Sequence, residues 1–349
     1  MLAACDDTLV NTPRPAAPSL THGGASSRIV WDDFTDGFTV GAADSKWFYF
    51  AAPPFSANDG ITTTSRGGLR VRSSGTNPRT GAPAFVNTLA QESANGGVPG
   101  GLDHAKWLVF MNHTASTGYP GWDARDGREL RCEITAGGRT FGTGAHPFGA
   151  RVADAEDDLR LAAAAMVNID FESYMVFDFW MTNERIYAFY ERLPFARGEF
   201  GNYAAFSYAV PVALRRPNAS HNLKVAYDRS AGVVRWLIDD REVFRVDQIG
   251  HRIDRKYLLI DHGGVDTTVT PRQLDCGMGM FTLLDGARGG GEGLVRLSEA
   301  PDFYFNPRRG EPVAQSFFDE TSRDGSRLFG QGAELRVRQY AVSSVPAGR

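Results

Sequence analysis

Charged and apolar residues alternate strictly in one short segment of the chain. Glu129, Arg131 and Glu133 occupy every second position, and the residues between them are apolar. In a β-strand this spacing places the three charged side chains on one face. Paired carboxylates can act as acid and base, which makes Glu133 a candidate catalytic residue and Glu129 and Arg131 candidate substrate-binding residues. The alternative is a charge-compensated strand face in contact with solvent.

A second set of candidates lies in residues 174–192, which alternate in the same way and predict a hairpin with a two-residue turn at 183–184. Asp178 is its candidate catalytic residue, because a carboxylate among aromatic residues is costly unless a partner or a function retains it. An ion pair with an arginine is the alternative. The candidate substrate-binding residues of the hairpin, whose rings can stack on a ligand or simply pack, are Trp180, Tyr187, Tyr190 and Glu191.

Two histidines lie in glycine-containing segments that predict loops. His146 is part of the run 142–149, and an exposed loop histidine can act as acid or base near neutral pH, so it is a candidate catalytic residue. His262 follows Asp261 and precedes two glycines, which makes it a candidate substrate-binding residue or part of a plain turn.

Strand alternation predicts that the two candidate strands contribute to one common groove. We expect Glu133, Arg131, Asp178, Trp180 and Tyr187 to face this groove, with the His146 loop at its rim. The residues that alternate with them then fill the core. Truncation of a groove residue, such as Trp180→Ala, is accordingly expected to leave stability unchanged.

The composition excludes several classes of partner. The 349 residues include 37 Lys and Arg against 41 Asp and Glu, without a basic run, which argues against nucleic acid or an anionic membrane as the main partner. The sequence has no apolar run long enough to span a membrane. Because CxxC, HExxH and nucleotide-binding motifs are also absent from the sequence, we predict no zinc site, no metal-ligating residues and no cofactor. The sequence does not specify whether a calcium ion binds a loop.

The three cysteines, Cys5, Cys132 and Cys276, have no repeating spacing. An odd count of this kind predicts free thiols and a cytoplasmic protein. The alternative is a lipoprotein from which an upstream segment is missing, since residues 2–5 resemble a lipoprotein cleavage box with Cys5 as the lipid site. Residues 1–27 are rich in Pro, Ala, Thr, Ser and Gly and predict a mobile arm.

Residues 28–349 predict a single all-β domain. Short apolar or alternating segments recur between turn signals, as expected for a sandwich or barrel. Residues 156–167 remain ambiguous between a short helix and a buried strand. No internal repeat and no change in composition marks a second domain.

Residues 221–246 carry a resemblance to a known fold. Tyr227-Asp228, Gly232, Val234 and Trp236 resemble a strand pair of concanavalin-like glucanases and lectins. More widely, the chain from about residue 29 is similar to an uncharacterised bacterial and fungal family of that fold, on the segments 146–149, 187–194, 261–264 and 329–333. The resemblance implies a concanavalin A-like two-sheet jelly-roll β-sandwich, and it brings no established activity.

The glucanase resemblance also allows a test of mechanism. Laminarinase-like enzymes carry E-x-D-x-E on a strand, whereas Arg131 stands here in place of the central Asp. A guanidinium between two carboxylates lowers their pKa values, which is wrong for a general acid. The segment therefore argues against glycosidase chemistry through Glu129 and Glu133.

The main functional prediction is a cofactor-independent enzyme that acts on a small organic molecule in a sheet cleft. Its reaction would use general acid–base catalysis, as in a cyclase, isomerase or hydrolase of specialised metabolism. The alternative is a carbohydrate-binding or glycan-cleaving protein, which rests on the fold resemblance. A structural or protein-interaction module is the third possibility. The sequence does not specify the oligomeric state.

Overall fold

The computed structural model describes residues 20, 26–52, 55–86, 104–284 and 328–348. Their strands are β1 (Ser27–Asp32), β2 (Trp47–Tyr49), β3 (Ala51–Ala52), β4 (Phe55–Ser56), β5 (Ile61–Ser65), β6 (Gly68–Arg72), β7 (Gly75–Thr76), β8 (Pro83–Ala84), β9 (Ala105–Met111), β10 (Trp122–Asp123), β11 (Arg128–Phe141), β12 (Ala163–Asp170), β13 (Met175–Met181), β14 (Arg185–Arg192), β15 (Phe206–Leu214), β16 (His221–Asp228), β17 (Val233–Ile238), β18 (Arg241–Val246), β19 (Leu258–Asp261), β20 (Gln273–Phe281) and β21 (Gly332–Pro346). One helical turn, α1 (Arg197–Phe200), and short 3₁₀ turns at Thr143–Ala145, Gly149–Arg151, Pro194–Ala196 and Arg255–Tyr257 connect them.

The strands form two large antiparallel sheets. Sheet A has the order β18-β17-β16-β11-β21-β6-β5, with β1 also paired to β21. Sheet B has the order β19-β15-β14-β13-β12-β20-β9-β2, with β10 also paired to β20. The pairs β3-β4 and β7-β8 are separate two-stranded ribbons. The expected concanavalin-like jelly-roll sandwich is confirmed.

The core lies between the two sheets and follows strand alternation. Cys132 and Trp236 contribute to it from sheet A, and Phe177 and Phe179 contribute from sheet B. These side chains are fully buried. The alternation predicted for residues 129–134 is therefore confirmed, because it is the apolar set that faces the core.

Local predictions from the sequence also hold in several elements. The hairpin β13-β14 has the two-residue turn and pairs Trp180 with Tyr187. Asp239 and Asp240 both have positive φ, at 51° and 63°, as a tight turn between β17 and β18 requires. The ambiguous residues 156–167 form turns followed by β12, so the buried-strand alternative is the one observed.

The outer face of sheet B is covered by a second apolar cluster. Trp180, Tyr187 and Phe189 of the hairpin β13-β14 belong to it, together with Phe148 and Leu161 of the segment 142–161. The central strands of sheet B are therefore buried on both faces. This second cluster decides which candidate residues remain accessible.

Part of the predicted organisation lies outside the described residues. Of the predicted arm 1–27, the structure describes residues 20, 26 and 27, and Leu20 packs against the core. Cys5 is outside the described part. Within the described residues, no helix is long and apolar enough to cross a membrane.

The prediction of three free thiols is wrong. Cys132 of β11 and Cys276 of β20 form a disulfide that links sheet A to sheet B across the core. The sequence separation of 144 residues closes a long loop, which gives the bond a large effect on the unfolded chain. Disulfides of this kind are typical of oxidising compartments, whereas the cytoplasmic prediction assumed reduced cysteines.

The disulfide predicts one titratable thiol per chain. Denatured protein prepared without reductant should give one equivalent, from Cys5, in a thiol titration. Replacement of both Cys132 and Cys276 by alanine should lower the free energy of unfolding by about 2–5 kcal/mol, while Cys5→Ser should leave it unchanged. Recovery of three thiols from freshly purified protein would contradict the bond.

Candidate active site on the outer face of sheet B

The two candidate strands do not share a groove. Glu129, Arg131 and Glu133 point away from the core on sheet A, whereas Asp178 and Trp180 lie on the opposite side of the molecule, on the outer face of sheet B. The prediction of a common groove is therefore wrong. Alternation correctly gave the face of each strand, but the two strands belong to different sheets.

The charged face of β11 is neutralised by neighbouring side chains. Glu129 is buried and accepts hydrogen bonds from Arg131 and Arg235. Glu133 accepts from Arg28 at 3.2 Å and from Asn222 at 3.1 Å. This arrangement is the charge-compensated strand face.

The electrostatics of Glu133 are unsuitable for an acid. Burial by itself raises its pKa, but the Asn222 amide, Lys224 and Arg28 together hold the pKa below its ordinary value. Glu133 is therefore an ionised carboxylate at neutral pH. Its predicted role as a catalytic residue has no support in this environment.

The aromatic candidates of the hairpin are packed rather than open. Trp180 is 4% exposed, and its ring stacks on Phe189 at 4.4 Å and on Phe281 at 4.6 Å. Both faces of the indole are thus occupied. The Tyr187 hydroxyl donates to Asp157 at 2.9 Å.

Tyr190 lies on the other side of the sheet from these residues. It belongs to the core between the sheets, where its hydroxyl accepts from the Gly250 N–H at 2.7 Å and donates to the His251 carbonyl at 3.0 Å. The prediction that Tyr190 binds substrate is not compatible with this position.

His146 lies in the segment that covers sheet B. Its ring stacks on Phe148, whose backbone N–H donates to His146 Nδ1 at 3.1 Å. Burial, and to a lesser degree Arg160, lowers the pKa of His146, and Asp158 opposes this effect. The residue is partly exposed, so it remains a candidate at the rim of this face.

Asp178 interrupts the ladder between β12 and β13. Pairing stops after Met166–Phe179 and resumes at Ile169–Val176. In the gap, Asp178 Oδ1 accepts from the Asn168 N–H at 2.8 Å.

The remaining polar atoms of Asp178 are engaged as well. Its Oδ2 accepts from Trp180 Nε1 at 3.3 Å, and its backbone carbonyl accepts from Trp236 Nε1 at 2.8 Å. Trp236 comes from sheet A, so this position joins the two sheets. Asp178 is 2% exposed, and burial together with the charge of Glu191 raises its pKa well above the usual range.

Glu191 is a partly exposed carboxyl on the same face. It pairs with Val176 of β13 and with Ser207 of β15, which makes it a diagonal neighbour of Asp178. Burial raises its pKa to about 7, and the Ser207 hydroxyl only partly opposes this effect. Unlike Asp178, Glu191 is partly exposed. The two neighbouring carboxyls therefore hold protons at a pH where ordinary carboxyls are ionised.

His262 lies on the same outer face, beyond β19. Its backbone N–H donates to the Ala205 carbonyl at 2.9 Å, which extends the pairing of β19 with β15. Burial, with a smaller contribution from the charge of Arg197, lowers the pKa of His262 to about 4, and Asp261 opposes this effect. The ring is partly exposed and neutral at pH 7.

The loop that carries His262 is fixed by one arginine and one glycine. Arg197 donates to the carbonyl oxygens of Tyr203, His262 and Gly263. Gly264 has a φ of 92°, and a Cβ there would lie 2.1 Å from the Tyr203 carbonyl oxygen. Gly264 therefore allows the close backbone approach that positions the loop of His262.

Sequence reasoning missed the residues between Glu191 and His262. Ala205, Ser207 and Ala209 share the outer face of the segment that includes β15, and their small side chains separate the two partly exposed groups. Strict alternation over 206–210 was a signal that would have found Ser207. The fixing role of Arg197 had no sequence signal, because its acceptors are backbone carbonyls.

An acidic group lies at the opposite end of the hairpin. Asp154, Asp157 and Glu184 bring carboxylate oxygens within 4.8 Å of one another. Arg185 forms an ion pair with Asp157, which also accepts from Tyr187. The group therefore resembles an ion-pair cluster at the β13-β14 turn, and we assign no metal to it.

Comparison with known proteins identifies a family. Residues 31–346 match the model described as "Family of unknown function (DUF6081)". The chain belongs to this family. A curated relative, "Uncharacterized protein L829" of Acanthamoeba polyphaga mimivirus, is 30% identical over 285 residues. The alignment covers 65% of this chain, and the chain spans 60% of that relative's length. Because this relative is viral, the bacterial and fungal distribution expected for the DUF6081 family stays a prediction.

Several solved structures share the sandwich. An endo-1,3-beta-glucanase from Streptomyces sioyaensis has a TM-score of 0.47 at 12% identity, over 96% of this chain and 100% of that one. The apo Crh5 transglycosylase has a TM-score of 0.39 at 11% identity, over 95% and 89%. A lichenase derived from a mouse hindgut metagenome has a TM-score of 0.36 at 10% identity, over 93% and 100%. Likeness at this level concerns the fold alone.

An alginate lyase of polysaccharide lyase family 7 is also among the similar structures. With TM-scores below 0.5, these similarities carry no argument about the activity of this chain. The cofactor-independent enzyme of specialised metabolism and the carbohydrate-active alternative therefore both stay predictions.

The packing of Trp180 reverses the expected effect of its truncation. Trp180→Ala should cost about 3–5 kcal/mol, as Phe177→Ala should, because each removes a large buried ring. Glu133→Gln should cost at most about 1 kcal/mol, since Glu133 is partly exposed and forms ion pairs near the surface. Urea unfolding measures all three. A Trp180→Ala protein as stable as the wild type would show that the ring is not part of a core.

The raised pKa of Glu191 predicts a pH-dependent stability. The folded state keeps its proton up to about pH 7, whereas the unfolded carboxyl loses it near its ordinary value of 4.5. The contribution of Glu191 to the free energy of unfolding is therefore fully present below pH 4.5 and is lost as the pH rises through 7. Glu191→Gln should match the wild type at pH 4 and exceed it at pH 8 in melting temperature.

Glu133→Gln is the control, because its effect on stability should depend on pH in the opposite direction. Because the folded pKa of Glu133 is lowered, its contribution is present above the unfolded pKa and disappears in acid. Its removal should therefore destabilise the protein at pH 7 and not at low pH. Equal pH profiles for the Glu191 and Glu133 variants would contradict the assignment of the two environments.

Proposed function

We propose that this protein is a carbohydrate-active enzyme that binds a glycan at the Glu191 corner of sheet B and cleaves a glycosidic bond there. Glu191 is the proton donor to the leaving oxygen. The observation that carries the proposal is a partly exposed carboxyl whose pKa is raised to about 7, beside a second carboxyl that also holds its proton. Protonation of a glycosidic oxygen near neutral pH requires a carboxyl of this kind.

Aromatic rings next to Glu191 favour a sugar as the ligand. Tyr174 precedes the pair Val176–Glu191 on the same face, and its ring meets that of Phe195 edge-on at 5.6 Å. Phe195 is 47% exposed. Binding sites combine such apolar rings with a few polar groups, and the apolar face of a sugar packs on them.

The sheet A strand is the weaker location for this chemistry. Glu133 is ionised, and Glu129 is held by two arginines. A proton donor at this strand would have to be protonated against the field of several cations. We therefore propose the site on sheet B.

The Glu191→Gln variant tests the proton donor. It keeps the size and hydrogen-bonding capacity of the side chain but cannot give up a proton, so kcat should fall by about 10²–10⁴-fold while binding is retained. A panel of β-glucans, carrageenan and alginate, with reducing-sugar release and affinity electrophoresis, provides the measurement. Wild-type protein that neither binds nor cleaves any member of the panel would count against a carbohydrate function.

Phe195→Ala tests the aromatic contact. The ring is exposed, so the melting temperature should stay at the wild-type value, while glycan binding should weaken by about two- to tenfold. Leu214→Ala is the matched control, because Leu214 is 75% exposed and lies at the far end of β15. Equal binding by the two variants would remove Phe195 from the site.

A further inference from the structure

Cleavage by Glu191 requires a second group that activates the attacking nucleophile. Asp178 is a diagonal neighbour of Glu191 on this face, but it is 2% exposed and both of its oxygens accept hydrogen bonds, from the Asn168 N–H and from Trp180 Nε1. A carboxyl in this position cannot reach the anomeric carbon of a surface-bound glycan. The second group must therefore be another one on the same face.

His262 is the partly exposed group whose placement fits. Ser207 pairs with Glu191 on one side and with Ile260 on the other, and His262 lies two residues beyond Ile260. Glu191 and His262 are thus separated by two strand spacings across the sheet and by two residues along a strand. This corresponds to about 12 Å between the backbones of the two residues. Side chains that lean toward each other over this span leave room for a water molecule, as inverting glycosidases require, with their two groups about 6.5–9.5 Å apart.

The strand between Glu191 and His262 carries small residues. Ala205 and Ser207 are fully buried. Their short side chains therefore do not fill the space between the side chains of Glu191 and His262. A retaining mechanism needs two carboxyls about 5–5.5 Å apart instead. Asp178 is the carboxyl beside Glu191, and because it is buried it cannot act as the nucleophile of such a mechanism.

We infer that His262 is the catalytic base of an inverting hydrolysis in which Glu191 is the acid. The imidazole takes a proton from water, and the water oxygen forms a bond to the anomeric carbon on the face opposite the leaving group. The bond between that carbon and the glycosidic oxygen breaks, and this oxygen takes the proton of Glu191. The inference rests on the proposed function, and it specifies the stereochemical outcome of that function.

The surrounding charges keep both groups in the required protonation state. Arg197, His104 and Asp261 lie near His262, and burial together with the charge of Arg197 lowers the pKa of His262 to about 4, although the Asp261 carboxylate opposes this effect. Glu191 holds its proton up to about pH 7. Between these values His262 is neutral and Glu191 is protonated. The profile of kcat/KM against pH should accordingly be bell-shaped, with limbs near 4 and 7.

The direct test is the configuration of the first product. Proton NMR of a β-glucan that the wild type cleaves should show the α-anomer of the new reducing end first, followed by mutarotation. His262→Gln should lose about 10²–10⁴-fold in kcat with little change in binding, and it should lose the acidic limb of the pH profile. His221→Gln is the control, because His221 pairs with Asp239 on sheet A, and it should keep wild-type turnover.

The outcomes separate the inference from the proposed function. Initial release of the β-anomer, or full turnover by His262→Gln, overturns the role of His262 even when Glu191→Gln is inactive. Wild-type turnover by Glu191→Gln instead overturns the proposed function. A readout that needs no substrate is the NMR titration of the His262 ring in the folded protein, where a midpoint near 4 is expected. A midpoint at 6.5 or above would also overturn the inference.

Discussion

Sheet B carries apolar side chains on both of its faces, and both faces have to be removed from water. One face is covered by sheet A, and the other is covered by the segment 142–161 and its neighbours, which pack on Trp180 and Tyr187. This double coverage leaves little of the outer face accessible. Glu191 and His262 are partly exposed because they lie toward the end of the sheet at which β14 finishes and the chain continues from β19 into a loop.

Partial burial shifts the pKa values of Glu191 and His262 in opposite directions. Transfer from water disfavours the charged form of either group, so it raises the pKa of the Glu191 carboxyl and lowers that of the His262 imidazole. A carboxylic acid and a neutral base therefore coexist on one face at slightly acidic pH. Asp178 contributes a buried neighbour whose hydrogen bonds join β12, β13 and sheet A.

Sequence patterns predicted local structure well and failed at long-range relations. Period-two alternation identified the core face of Cys132, and turn chemistry fixed the register of Trp180 against Tyr187. Alternation states which residues of a strand share a face, but it does not state which strands share a sheet. The common groove failed for this reason, and the Cys132–Cys276 disulfide was missed because its two strands meet only across the core.

The candidate site was predicted in part for the same physical reason. Glu191 and His262 were both chosen from their sequence context, and their relation depends on β15, which lies between them. Trp180 was predicted to bind a ligand because alternation places it on the same strand face as Asp178, away from the core, where its ring can stack on a ligand. The sequence gives no measure of what covers that face, since the covering residues, such as Phe148, are distant in the chain.

The central claim is that the ligand lies at the Glu191 corner of sheet B and not on the charged face of sheet A. A crystal structure of the Glu191→Gln variant with a bound oligosaccharide tests it most directly. We predict a sugar ring whose glycosidic oxygen lies within hydrogen-bond distance of the residue 191 side chain, with the His262 ring on the other side of the anomeric carbon. A sugar bound across Glu129, Arg131 and Glu133 would contradict this account.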